Sequence, residues 1–98
     1  MQEITMMKKV IIDGKAIRSV EDLHAILQTE FSLQPAYFEN MDTLWEGLVW
    51  HVPVPVELEW IHFSESRAAI GPYADQMMNL LYEVDEQLEE LFRFTVKL

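Results

Sequence analysis

Cysteine is missing altogether from the 98 residues. Its absence excludes a disulfide framework and thiol chemistry, and it suits a reducing interior. The three glycines are scattered, so no Gly-rich loop is present to cradle a phosphate. No apolar run approaches the roughly 20 residues that span a bilayer. The opening MQEITMMKKVIIDG has neither the apolar stretch nor the cleavage site of a secretory signal. Positive charge is also scarce: 7 Lys and Arg stand against 17 Asp and Glu, for a net charge of −10. Such a surface repels nucleic acid and anionic lipid and attracts basic partners. The expectation is a soluble, cytoplasmic protein that binds neither nucleic acid nor membrane.

The cations are unevenly placed as well. Between Arg18 and Arg67 lie nine acids and no Lys or Arg. Solubility alone is the bland explanation for an acidic protein. Against it stands the stretch FENMDTLWEGLVWH, residues 38–51, in which Glu39, Asp42 and Glu46 recur three and four residues apart with no cation among them.

Half of the residues are hydrophobic and 24% are charged, which describes an ordered chain. Its length suits one domain with a single core, over residues 1–98. Met7-Lys8-Lys9 would make an ordinary translation start, so residues 1–6 read as a dispensable leader or as part of the domain. Lys8 to Ile12 is a β-branched run closed by the turn pair Asp13-Gly14, and reads as a buried strand. Ser19 then precedes a stripe of Val20, Leu23, Ile26 and Leu27, predicting a helix over 20–30, with Asp22 near a capping-box position. Residues 31–39 break the pattern around Pro35 and read as a loop. Asn40 is a good N-cap for a second helix over 41–51 with the stripe Met41, Leu44, Trp45 and Leu48, which Gly47 weakens. Pro53 and Pro55 end it and lead into VELEWIHF, a second strand. After Gly71-Pro72, the residues Met77, Leu81, Val84, Leu88 and Leu91 have helical spacing, and FRFTVKL reads as a last strand. The order β-α-loop-α-β-α-β is that of a small α/β layer fold, and helical crossovers favour parallel strands.

Enzyme chemistry finds little support. His24, His51 and His62 fit no zinc spacing, and Ser64 and Ser66 lack a nucleophile-elbow context. Neither metal nor cofactor is called for. Glu57 and Glu59 share one face of a strand, which a polar sheet face explains more simply than a paired-carboxylate site. An enzyme acting on a small molecule would need a concave pocket holding acids of perturbed pKa; a filled, convex acidic face would dismiss that reading.

In the stretch 38–51, the helix macrodipole accounts for Glu39 and Asp42 at the N-terminus. It does not account for Glu46, four residues beyond Asp42, where like charges cost about 0.2–0.5 kcal/mol. Trp45 and Trp50 read as partly core, whereas Tyr37 and Phe38, behind Pro35, are harder to assign to it. An acidic ridge flanked by aromatics has the chemistry of a surface that binds a cationic site.

Three runs, KKVIIDGKAIRSVEDLH, YFENMDTLWEGL and LEWIHFSES, match in order and spacing over residues 8–67. Together they make the chain resemble the barstar family of intracellular ribonuclease inhibitors. The resemblance implies a three-stranded parallel sheet packed against helices, and an inhibitor rather than an enzyme. It also implies a second helix and preceding loop that plug the active site of a small basic ribonuclease of extracellular type, with acids where RNA phosphates would lie. By position, Asn40, Asp42, Trp45 and Glu46 match the inhibitory helix, Tyr37 an aromatic of the loop, and Glu83 or Glu86 a later acidic contact. The free protein is expected to be a monomer. Two positions depart from the family pattern. Phe38 stands where Gly is usual, or else the loop is one residue shorter, and Glu46 stands where the most buried acid is usually Asp. These changes point to a changed partner, a re-shaped approach or weaker inhibition. They keep open an acidic interaction module, of the immunity or antitoxin type, for a different basic protein.

Overall fold

The computed structural model describes residues 7–98, so the segment read as a possible leader, residues 1–6, lies outside the described residues. Strands β1 (Lys8–Asp13), β2 (Val56–Ile61) and β3 (Phe92–Val96) alternate with pairs of helices. The first pair is α1 (Val20–Phe31) and α2 (Met41–His51), and the second is α3 (Phe63–Ile70) and α4 (Pro72–Leu88). The strands lie in the order β1-β2-β3, every pairing parallel, as the helical crossovers predict. Both crossovers step across the sheet in the same direction. Crossovers of one hand therefore put their helices on the same face.

Strand periodicity then sorts the side chains. Val10, Leu58 and Phe94 are in register across the sheet, as are Ile12, Trp60 and Val96, and they face the helices. All but Val96 are buried, and Trp60 is completely so, its indole N–H donating to the Ser66 hydroxyl at 3.0 Å. The alternate residues Lys9, Ile11, Arg93 and Thr95 are exposed on a sheet face that no helix of the described residues covers. Parallel sheets are usually buried on both faces; here the second face is open and polar.

The loop between α1 and α2 contains a short 3-10 turn, Pro35–Phe38. Helix α1 begins where Ser19 accepts the Asp22 N–H, and the Asp22 carboxylate in turn accepts the Arg18 N–H. The region after β2 differs from the sequence reading. The strand ends at Ile61, and Phe63–Ile70 form a helix that the reading did not contain. Its anchors are Phe63, set edge-on to Trp60 with ring centroids 4.8 Å apart, and the buried Ser66. The turn after β1 packs against this corner. A Cβ on Gly14 would lie 2.0 Å from the His62 carbonyl oxygen, so this position tolerates only glycine. At the other edge, the Asp85 carboxylate accepts the Phe94 N–H at 2.8 Å, tying α4 to β3.

Candidate functional site

Helix α2 starts on a reciprocal cap. The Asn40 side-chain oxygen accepts the Thr43 N–H at 2.8 Å, and the Thr43 hydroxyl accepts the Asn40 N–H at 3.3 Å. That hydroxyl also lies 3.0 Å from the Tyr37 carbonyl oxygen, so one side chain couples the helix start to the loop before it. Asn40 therefore orients the element rather than presenting charge, and Thr43, which the sequence reading passed over, completes the joint.

Leu44 and Leu48 are buried, and Met41 and Trp45 pack partly buried against the same core. With that face held down, Asp42, Glu46 and Trp50 stand at i, i+4 and i+8 as one exposed row along the helix. Trp50 is the correction here. Its residue type predicts a partly core position, yet it is 73% exposed.

Tyr37 and Phe38 are fixed on opposite sides. The Tyr37 ring lies over Gly47, where a Cβ would come within 2.9 Å of Tyr37 Cγ, and it stacks obliquely on His51 at 5.2 Å between centroids. Gly47 is thus the seat of an aromatic from the preceding loop. Phe38 turns the other way, onto the His24 ring at 4.8 Å. His24 Nε2 and the Tyr73 hydroxyl are 2.7 Å apart, in a hydrogen bond between α1 and α4. Burial lowers the His24 pKa below the usual imidazole value, partly opposed by Glu21, and burial raises that of Tyr73.

Beside the ridge runs an open groove of about 610 Å³ between α2 and α4. Asp42, Trp45 and Glu46 line one wall and Gln76, Asn79 and Glu83 the other, with Met41 and Leu80 between them. The face is accordingly a ridge beside a groove, not the filled convex surface that would have dismissed a pocket enzyme. Four of the six residues singled out from sequence meet here, Asp42, Trp45 and Glu46 on one groove wall and Glu83 opposite, while Asn40 caps the head of the helix. Tyr37 lies around the side of α2. Of the two later acids, Glu83 lines the groove and Glu86 does not. Gln76 and Asn79 carried no signal in the sequence, because polar residues on the outer face of an amphipathic helix look alike until a neighbouring helix is placed beside them.

The electrostatics are one-sided. Among the described residues, the ion pairs are Glu59 with Lys97 and with Lys9, and Arg67 with Asp75. Asp42, Glu46 and Glu83 are in none of them. Among the described residues no group of three or more His, Asp and Glu side chains is placed to hold a metal ion, and no helix is long and apolar enough to cross a membrane.

The family model described as "Barstar (barnase inhibitor)" matches residues 7–98. A relative from Bacillus subtilis (strain 168), named "Putative ribonuclease inhibitor YrdF", is 32% identical over 91 residues, which cover 93% of this chain and 100% of the relative.

Proposed function

This chain belongs to the barstar family of ribonuclease inhibitors, which are not enzymes, and we propose that it blocks a small basic, barnase-like ribonuclease with the α2 ridge and the turn before it. Glu46 enters the cationic centre that would otherwise hold an RNA phosphate and pairs with its Arg and Lys groups. Asp42 and Glu83 meet charges closer to the rim, while Tyr37 and Trp45 pack around them and exclude water. Asn40 serves by holding the helix start in place. The observation that carries this reading is the exposed row of acids on a well-capped helix, with no ion-pair partner among the described residues. Lining up like charges in the free protein fixes their field before encounter, which speeds association with a basic partner. No small-molecule cofactor takes part. The target is of extracellular type, and the inhibitor acts in the cytoplasm of the cell that makes that enzyme, as a monomer when free. The lack of cysteine and a net charge of −10 suit that setting.

Two residues favour a second reading. Glu46 is one methylene longer than the family's usual Asp, and a pocket shaped for Asp would meet it badly. Phe38 stands where Gly is usual, or else the loop is one residue shorter, and its ring is turned onto His24. An acidic module for a different basic protein is consistent with both. The test is affinity capture from the native organism's secreted proteins, followed by an RNA-cleavage assay on what is bound. The first reading expects a basic ribonuclease whose cleavage is blocked, with association that slows steeply as salt rises. Capture of a basic protein without ribonuclease activity favours the second.

A further inference from the structure

Of the three tryptophans, Trp60 is fully buried and Trp45 packs against the core, but Trp50 keeps 73% of its surface in water. The fold gains little from an indole there. Side chains at i and i+4 on a helix are about 5–6 Å apart at Cβ, so Trp50 is the neighbour of Glu46 along the exposed row. Resting on the inhibitor reading, we infer that Trp50 is a partner-binding residue: its indole face and the Glu46 carboxylate together grip one guanidinium or ammonium group of the basic protein.

The chemistry is complementary. A carboxylate accepts the N–H donors at the edge of a guanidinium, while the electron-rich indole face attracts its plane, and Trp is the strongest such platform among the aromatics. Among the described residues no Lys or Arg pairs with Glu46, and the cation–π contact is that of Arg67 with Phe63, not with Trp50. A second copy of this chain is a poor occupant, since each copy carries −10 and would bring its own acidic row toward the other. The continuity of Trp50 with Asp42 and Glu46 makes it the end of the proposed docking row rather than a separate patch.

Barnase serves as the basic ribonuclease probe, with inhibition constants and dissociation rates measured for the parent chain and for Glu46→Ala, Trp50→Ala, Trp50→Phe and Trp50→Leu. The Trp50 variants should unfold at the parent's temperature, because the side chain is solvated. Trp50→Ala and Trp50→Leu should each weaken inhibition about 30-fold, mainly through faster dissociation, the size of an interfacial hot spot. Trp50→Phe should stay within about five-fold of the parent, because it keeps an aromatic face. In the double variant Glu46→Ala/Trp50→Ala, measured alongside, the two effects should be non-additive, as for two groups sharing one partner. If Glu46→Ala loses inhibition while Trp50→Ala keeps it, the ridge stands and the role of Trp50 does not. A Trp50→Leu variant as tight as the parent means an apolar contact and overturns the cation grip. A parent chain that does not bind barnase overturns the barnase-like target proposed above and this inference with it.

Discussion

On the second face of the sheet, Glu59 lies between Lys9 of β1 and Lys97, the residue after β3, its carboxylate 2.8 Å from Lys97 Nζ and 3.5 Å from Lys9 Nζ. On the α2 ridge, Asp42 and Glu46 face solvent with no Lys or Arg paired to them among the described residues. The Lys97 hydrogen bond is the main cause that holds the Glu59 carboxyl below the usual carboxylate range, with Lys9 adding to it and desolvation opposing; Lys97 is raised in return. The difference is not one of opportunity. A Lys at position 50 would stand at i+4 from Glu46 and stabilise the helix by about 0.2–0.5 kcal/mol, and position 79 faces the ridge across the groove. Trp50 and Asn79 occupy those places instead. The chain neutralises an acid where the sheet must hold together and, on the reading proposed above, leaves acids unpaired where the partner is to bring the cations.

The contrast breaks most sharply at Glu46. Glu46→Ala should cost about 2–5 kcal/mol of binding to a basic ribonuclease, the range for one side of a buried interfacial charge pair, for which the barnase–barstar complex is itself the type example. The loss should appear mainly as faster dissociation, with thermal stability unchanged or slightly higher once the Asp42 repulsion is relieved. Gly47→Ala comes next. Helix propensity favours Ala by about 1 kcal/mol, yet its Cβ pushes the Tyr37 ring off its seat. Inhibition should weaken about ten-fold, as 1.4 kcal/mol of lost aromatic packing would give, while the unfolding midpoint hardly moves.

The sheet side should behave oppositely. Glu59→Gln should lower the unfolding midpoint and leave inhibition as it was. Because the Glu59 pKa is depressed on folding, its contribution is present above its ordinary value near 4.5 and is lost as pH falls through the lower folded value. The Gln variant should lack that acid limb in a urea-midpoint-versus-pH series. His24 gives a smaller effect at milder pH. Its pKa is lowered by burial, so its contribution is complete above the ordinary 6.5 and declines as pH drops through the folded value. Urea midpoints measured between pH 7.5 and 5.5 should fall in the parent and stay flatter in His24→Gln.

Much of this was legible in the sequence, for local reasons. Asn40 and Pro53 bracket α2, and the β-branched run before Asp13-Gly14 marks β1. Helix α3 was not, because it starts at His62 in a left-handed conformation (φ 51°) with no capping side chain, and it is too short to show a period. Trp50 is exposed because its angle on the helix, not its residue type, sets its burial. It lies two residues beyond buried Leu48, about 200° around the helix, on the side away from the core. The seat that Gly47 provides, and the pairing of Glu59 with a Lys thirty-eight residues later, depend on which elements become neighbours. No local pattern encodes that.

The central claim is that the ridge stays bare so that the partner's cations can reach it. Asn79→Lys tests it most directly, by giving the α2–α4 groove the internal cation that the sheet gives Glu59. Inhibition of barnase at low ionic strength should fall about ten-fold or more, as one occupied charge site would cause, while the thermal midpoint holds or rises. Unchanged or tighter inhibition by the Asn79→Lys chain would contradict the account.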